Sequence, residues 1–252
     1  AAYPGAVPEP EPTLTAPPEA VVPTWGLGDA AVGWVLGLVG GLLTQFLAFG
    51  LSGTPLDQPD DLPLAWVAVA QVGLWAGLLG VPYAAARLKG NGLRRDFGLT
   101  AKLSDLPLGV LCGIVGQTLI IWVVYLPLQW LTDVSAEDIS EPAQNLTDRA
   151  HGTVGVVLLV LIVGIGAPVV EEIFYRGLLQ RSLIRRFGPV WGIAGASVLF
   201  GAAHLQPLQF PALVLAGALF GMLAHRYGRL GPSIAAHVVF NMTAVVALLA
   251  GA

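Results

Sequence analysis

The stretch Pro168-Val169-Val170-Glu171-Glu172-Ile173-Phe174-Tyr175-Arg176 places two adjacent carboxylates at the end of a long apolar run. A carboxylate at the centre of a membrane helix costs about 2.5–3.5 kcal/mol on insertion scales, so such a residue usually marks a functional site with polar partners nearby. The stretch therefore predicts a helical membrane protein whose helices enclose a polar site.

The composition of the chain supports this class of protein. Hydrophobic residues make up 55% and charged residues 11% of the 252 residues. The charged residues are clustered, which leaves uncharged windows long enough to cross a hydrocarbon core about 30 Å thick. The chain has no basic tract that would indicate nucleic-acid binding, and its single cysteine, Cys112, excludes a disulfide framework and a cysteine-based metal site. We expect an all-α, polytopic membrane protein.

The apolar windows predict about seven transmembrane helices in three regions. Residues 1–24 form a proline-rich tail that is expected to be disordered and that lacks the features of a cleavable signal peptide. Residues 25–151 carry helices 1–3, connected by a basic loop and an acidic loop. Residues 152–252 carry helices 4–7, with one long helix from Gly152 to Gly188 and a break between two further helices at Gln206–Pro211.

The placement of lysine and arginine predicts the orientation of the chain. Eleven of the twelve basic residues fall in segments 87–105, 176–186 and 226–229, which alternating spans place on one side of the membrane. Only Arg149 falls on the other side. Because cytoplasmic loops carry the positive excess, the N-terminus is expected in the cytoplasm and the C-terminus outside it.

Glycines recur at four-residue spacing within the predicted spans. Small residues at this spacing let helix backbones approach closely in lipid, so we interpret them as helix-packing faces. They are Gly33, Gly37 and Gly41; Gly73 and Gly77; Gly109 and Gly113; and Gly217 and Gly221.

The two carboxylates of the opening stretch are predicted to have different partners. On a helix, adjacent side chains point about 100° apart. Arg176 follows Glu172 at the spacing of an i,i+4 ion pair. This assigns Glu172 to Arg176 and leaves Glu171 on another face, as the candidate catalytic base.

Two further motifs carry polar residues into apolar helices. Phe200 and His204 share one helical face, and a hairpin near Gly188 would place His204 at the same depth as Glu172, since each lies 16 residues from the turn. His237 and Asn241 also share one face. They either form interhelical hydrogen bonds or bind the negative charge that develops on a carbonyl oxygen.

Together these residues predict the activation of water for attack on an amide, with no serine or cysteine nucleophile. Metal is an open question at this point. Glu171, His204 and His237 could complete a zinc site with water as fourth ligand, although the helical H-E-x-x-H spacing is absent.

Three motifs, taken in their order along the chain, resemble those of the CPBP family: Glu171-Glu172-x-x-x-Arg176, Phe200-x-x-x-His204 and His237-x-x-x-Asn241. This family comprises CAAX-processing and bacteriocin-processing intramembrane proteases, including the type II CAAX prenyl endopeptidases. The resemblance covers residues 152–247. It implies a cavity that opens to the cytosol, in which Glu171 and His204 activate water and His237 and Asn241 bind the oxyanion.

The resemblance also implies a peptide or protein substrate, which could be lipid-modified, and contact with membrane lipid. Glu172, Arg176 and Phe200 are then supporting residues. Family members are described both as zinc metalloproteases and as metal-free glutamate proteases, and the preferred mechanism requires no cofactor. The composition suggests a bacterial cell membrane protein.

Two other functions fit the same residues. A non-catalytic scaffold or bacteriocin-immunity protein could keep them as a polar network that locks four helices together. A proton-coupled transporter would also bury Glu and His, but the sequence has no inverted repeat to support it.

Overall fold

The structure is a computed structural model that describes residues 21–251. The tail predicted to be disordered, residues 1–24, lies outside the described residues except for its last four. Within those four, the Val21 N–H donates to Asn91 Oδ1 at 2.8 Å, and the Thr24 N–H donates to the Lys89 carbonyl at 2.8 Å. This part of the chain thus lies against the end of the second helix.

The described part of the chain is helical and contains no strands, as predicted. Six helical stretches are long and apolar enough to cross a membrane. In chain order the helices are α1 (Leu27–Ser52), α2 (Leu64–Leu88), the short α3 (Leu93–Asp96), α4 (Asp105–Leu131), α5 (Ala136–Thr147), α6 (residues 152–187), α7 (residues 189–203), α8 (Phe210–Tyr227) and α9 (Gly231–Leu249).

Gly188 divides the helical stretch Gly152–Ala203 into α6 and α7. Its backbone has φ 80° and ψ 170°, a conformation open to glycine but not to residues with a Cβ. Beyond it the chain folds back, so that Gly192 lies against Ile184 and the Tyr175 and Phe200 rings are 5.3 Å apart. The hairpin predicted near Gly188 is confirmed. The predicted number of seven spans is not confirmed, because the six candidate spans include this stretch as one.

The acidic connection that was predicted as a loop contains a helix, α5. The Ser135 Oγ accepts a hydrogen bond from the Asp138 N–H at 3.1 Å, and the Asp138 carboxylate accepts from the Ser135 N–H at 2.8 Å. This reciprocal capping box satisfies N–H groups that the first helical turn otherwise leaves free. The hydroxyl and backbone N–H of Ser135 also hold the pKa of the Asp138 carboxyl below its usual value.

The glycine faces are packing surfaces, as predicted. In α2, a Cβ on Gly73 or Gly77 would meet the backbone of α1 at Gly40 or Gly37. The other glycine pairs are buried in the same way: Gly109 and Gly113 lie against Ala235 and Ala236 of α9, Gly217 lies against Ser197, and Gly221 lies against Gln180.

The outer surface of the bundle is apolar and the interior holds charged groups. Leu42, Leu43 and Phe46 on α1 are more than half exposed, which is the arrangement expected where lipid is the solvent. By contrast, Glu172, Arg176 and His237 are among the most buried side chains of the described residues. The polar site therefore lies inside the bundle, between α6, α8 and α9.

Candidate functional site

A fully buried ion pair lies at the centre of the site. Arg176 Nη1 is 2.9 Å from Glu172 Oε1, and the two side chains are 1% and 0% exposed. Arg176 Nη2 also donates to the Gly217 carbonyl at 3.1 Å, and one turn further on Gln180 Nε2 donates to the Gly221 carbonyl at 3.0 Å. The predicted i,i+4 pair is confirmed, and the glycines of α8 allow both side chains to reach its backbone.

The local helix geometry of this segment differs from that of an ordinary α-helix. Residues Glu172–Leu179 form wider π-helical turns, and a second such segment covers Val160–Gly166. Wide turns of this kind are uncommon in proteins and are frequently found at functional sites. The two segments lie on either side of Glu171.

His237 lies between the two carboxylates. Its Nδ1–H donates to Glu172 Oε1 at 3.0 Å, and its Nε2 is 3.7 Å from Glu171 Oε2. The sequence predicts different partners for Glu171 and Glu172, but both carboxylates face this one imidazole. The physical reason is that an imidazole carries nitrogens on two sides of its ring, so side chains that point about 100° apart can both reach it.

Aromatic rings surround the buried charges. The Phe220 ring stacks on His237 with centroids 4.3 Å apart, and Phe200 lies with its ring centroid 4.4 Å from Arg176 Cζ. Phe200 was predicted as a supporting residue, whereas Phe220 was missed. The available signal was its spacing: Phe220 lies three residues after Gly217 and one before Gly221, on the face of α8 that approaches α6.

His204 lies directly after the end of α7. Its Nδ1–H donates to the Phe200 carbonyl at 2.8 Å, which leaves Nε2 as the hydrogen-bond acceptor of the neutral ring. The next residue, Leu205, has φ 54°, an uncommon backbone conformation for a residue with a side chain. Such outliers often occur next to functional residues.

Asn241 contacts the second π-helical segment. Its Nδ2 donates to the Val163 carbonyl at 2.9 Å. The interhelical hydrogen bond that the sequence allows for this residue is therefore present. The amide still has a second N–H and its oxygen for another partner.

A cavity of about 410 Å³ brings the four candidate catalytic residues together: Glu171, His204, His237 and Asn241 all line it. Its lining runs from Phe220 to Leu146 on α5, and along α9 as far as Leu248. The cavity therefore extends towards the end of the bundle that carries the acidic helix α5, away from Arg181 and Arg185. The predicted opening on the side of the basic residues is not confirmed.

The candidate zinc ligands do not form a metal site in residues 21–251, in which no three His, Cys, Asp or Glu side chains are arranged to hold a metal ion. Nδ1 of His237 is bonded to the Glu172 carboxylate, and Nδ1 of His204 is bonded to the Phe200 carbonyl. Both bonds leave Nε2 free, as in metal-bound histidines. It is therefore the grouping of the described side chains, and not these bonds, that leaves the proposed ligand set of Glu171, His204 and His237 unsupported.

Residues 153–243 match the family model described as type II CAAX prenyl endopeptidase Rce1-like. This Rce1-like segment covers about a third of the chain. The predicted relationship to the CPBP family is thereby confirmed, and the match points to a peptidase. No curated protein matches the chain, and no solved structure matches it.

The Rce1-like domain contains every predicted site residue, but it does not contain the whole wall of the cavity. The lining is completed from outside the matched residues by Val67 and Gln71 of α2, by the inward side of α5 from Ile139 to Thr147, and by Ala244, Val245 and Leu248 of α9. The site of this domain is therefore shaped in part by the N-terminal half of the chain.

Proposed function

We propose that the chain is an intramembrane endopeptidase of the CAAX-protease type, with Glu171, His204, His237 and Asn241 as its catalytic residues. One observation carries the proposal. The buried Glu172–Arg176 pair holds His237 beside Glu171, at a cavity that His204 and Asn241 also line, inside an Rce1-like domain.

In the proposed first step, a water molecule in the cavity attacks the carbonyl carbon of the peptide bond. Glu171 accepts a proton from this water, because its side chain is 20% exposed to the cavity and Arg176 is already paired with Glu172. His204 assists as a second acceptor through Nε2, the nitrogen that its bond to the Phe200 carbonyl leaves free.

The negative charge then resides on the former carbonyl oxygen, which His237 and Asn241 stabilise. Asn241 offers the N–H that is not bound to Val163. His237 already donates its Nδ1–H to Glu172, so it donates from Nε2 only when the ring carries both protons. Donors held in place in a dry site are a common source of transition-state stabilisation.

In the last step the carbon–nitrogen bond breaks. The proton taken from water passes from Glu171 or His204 to the leaving amine, so that a carboxylic acid and an amine are released. Glu172 and Arg176 take no part in the bond changes and act as positioning residues for His237. Phe200 shields the Arg176 guanidinium on one side.

The cavity suits a peptide or protein segment with apolar side chains. Apart from the candidate catalytic residues, much of its lining is apolar, including Ile139, Leu146, Leu159 and Ile162. We propose that a lipid-modified peptide is among the substrates, that membrane lipid contacts the outer surface, and that the chain functions in a bacterial cell membrane with its N-terminus in the cytoplasm.

A peptide-library cleavage profile of the purified full chain tests this function. Glu171→Gln and His204→Ala are expected to abolish cleavage while each variant still purifies as a folded, monodisperse protein. The matched control is Gln206→Ala, because Gln206 lines the same cavity without a proposed role. Cleavage by both catalytic variants at the rate of the native protein would refute the assigned catalytic roles. Native biological activity in both variants would favour a non-catalytic scaffold or immunity protein.

A further inference from the structure

A second cavity lies at the opposite end of α6 from the candidate active site. It has a volume of about 420 Å³, and its lining includes four arginines and a histidine: Arg95, Arg176, Arg181, Arg185 and His225. These side chains come from α3, α6 and α8, so the cavity is formed by the fold and does not follow from one basic stretch of sequence.

The cavity has a surplus of positive charge. Asp96 is the one carboxylate in its lining, and it is buried and accepts hydrogen bonds from the Asn91 backbone at 2.6 Å and side chain at 3.2 Å. Arg176 is neutralised by Glu172. Among residues 21–251, Arg95, Arg181 and Arg185 form no ion pair with a carboxylate within 4 Å.

Backbone carbonyls hold two of these guanidinium groups in place without neutralising them. Arg181 Nη2 donates to the Gly228 carbonyl at 2.9 Å, and Arg185 Nη2 donates to the Trp25 carbonyl. Arg185 Cζ also lies 3.7 Å from the centre of the Trp25 ring. Each guanidinium has five N–H groups, so most of them remain available to a ligand.

Trp25 forms a wall of the cavity. It is 5% exposed, and its ring packs against the Arg185 guanidinium. A ligand that matches the unpaired guanidinium groups carries negative charge and several acceptor oxygens. Phosphate has such oxygens and matches the planar geometry of arginine.

We propose that this cavity binds a phosphate group, either free or as the headgroup of an anionic phospholipid. It lies at the basic end of the membrane-spanning helices, where clustered arginines meet headgroups. The proposal does not depend on peptidase activity, because none of the residues assigned to bond breaking lines this cavity. Arg176 alone connects the two sites, through its ion pair with Glu172.

Binding to the full chain in detergent tests the proposal. The probes are inorganic phosphate, measured by calorimetry against chloride at equal ionic strength, and phosphatidylglycerol compared with phosphatidylcholine, each lipid added in mixed micelles. We expect Arg185→Gln and Arg181→Gln each to weaken binding by about fivefold, the usual contribution of one basic residue near an anionic surface. The matched control is Arg186→Gln, since Arg186 neighbours Arg185 but does not line the cavity.

The two probes distinguish the source of the phosphate. Binding of phosphatidylglycerol without binding of free phosphate indicates a lipid headgroup, and the reverse indicates a free anion. Thermal unfolding of each variant, recorded without probe, shows whether a loss of binding reflects a loss of folding. An equal loss of binding in Arg186→Gln would overturn the proposal, because diffuse surface charge would then explain the binding. A failure of both probes to bind would also overturn it.

Discussion

Replacing Arg176 with methionine should destabilise the protein strongly. The change removes the guanidinium that lies 2.9 Å from a Glu172 carboxylate with 0% exposure, and with it the hydrogen bond to the Gly217 carbonyl. Removing one partner of a buried ion pair leaves an uncompensated charge and typically costs about 3–5 kcal/mol. We expect a loss of stability of this size for Arg176→Met.

Replacing both partners should cost much less. Apolar side chains of similar volume often substitute for a buried ion pair with little loss of stability, because neither charge then has to be desolvated. Glu172→Met combined with Arg176→Met is therefore expected to be more stable than Arg176→Met alone. The double variant should nevertheless lose cleavage activity, because His237 no longer has a carboxylate that accepts its Nδ1–H.

Reversible unfolding of the full chain in detergent micelles measures these differences. The control is Lys89→Met, which breaks the pair between Lys89 and Asp29, where the lysine is 49% exposed. Exposed pairs contribute at most about 1 kcal/mol, so this variant should unfold close to the native protein. The reasoning would be refuted if Arg176→Met lost no more stability than Lys89→Met, or if the double variant were as unstable as Arg176→Met.

Three further predictions address packing, orientation and cofactors. Gly77→Ala should destabilise the protein by about 1–3 kcal/mol in the same unfolding assay, because its Cβ would meet the backbone of α1. The control is Gly80→Ala on the same helix, where the Cβ would meet open space. Equal effects of the two variants on stability would contradict the packing. In a Cys112→Ser background, a membrane-impermeant maleimide applied to intact cells should label Glu141→Cys and not Arg186→Cys. Labelling of Arg186→Cys alone would contradict the orientation that the placement of basic residues predicts. Cleavage should persist after dialysis against a chelator, and its loss with recovery on adding zinc would show that the metal-free mechanism is wrong.

The features that sequence spacing predicts well are local ones. The pair of Glu172 and Arg176 follows from the geometry of a single helix, and the hairpin at Gly188 follows from a glycine between a basic amphipathic stretch and an apolar run. The glycine faces are predictable for the same reason, since a close helix contact in lipid requires small residues at regular spacing. The helix α5 also had a local signal, the capping box of Ser135 and Asp138, which was not recognised.

The features that spacing does not predict depend on how separate helices pack. Nothing in the order of residues indicates that Glu171 and Glu172 flank one imidazole, because this requires the position of α9 relative to α6. The stacking of Phe220 on His237 likewise depends on the approach of α8, because the spacing of Phe220 from Gly217 and Gly221 indicates a packing face but does not identify the ring that it contacts. The wide helical turns on both sides of Glu171 have no known spacing signature.

The positions of the two cavities bear on how a peptide reaches Glu171. On the basic side, the side chains of Arg176 and Gln180 lie between the site and the end of the bundle, and each is bonded to a backbone carbonyl of α8. A peptide arriving from that side would have to break the most buried polar contacts of the described chain. On the acidic side, α5 covers the cavity with apolar side chains, and Gln209 donates to the Ile139 carbonyl of α5 at 2.8 Å. Displacing α5 therefore costs less than displacing Arg176, and we expect peptides to enter beside α5.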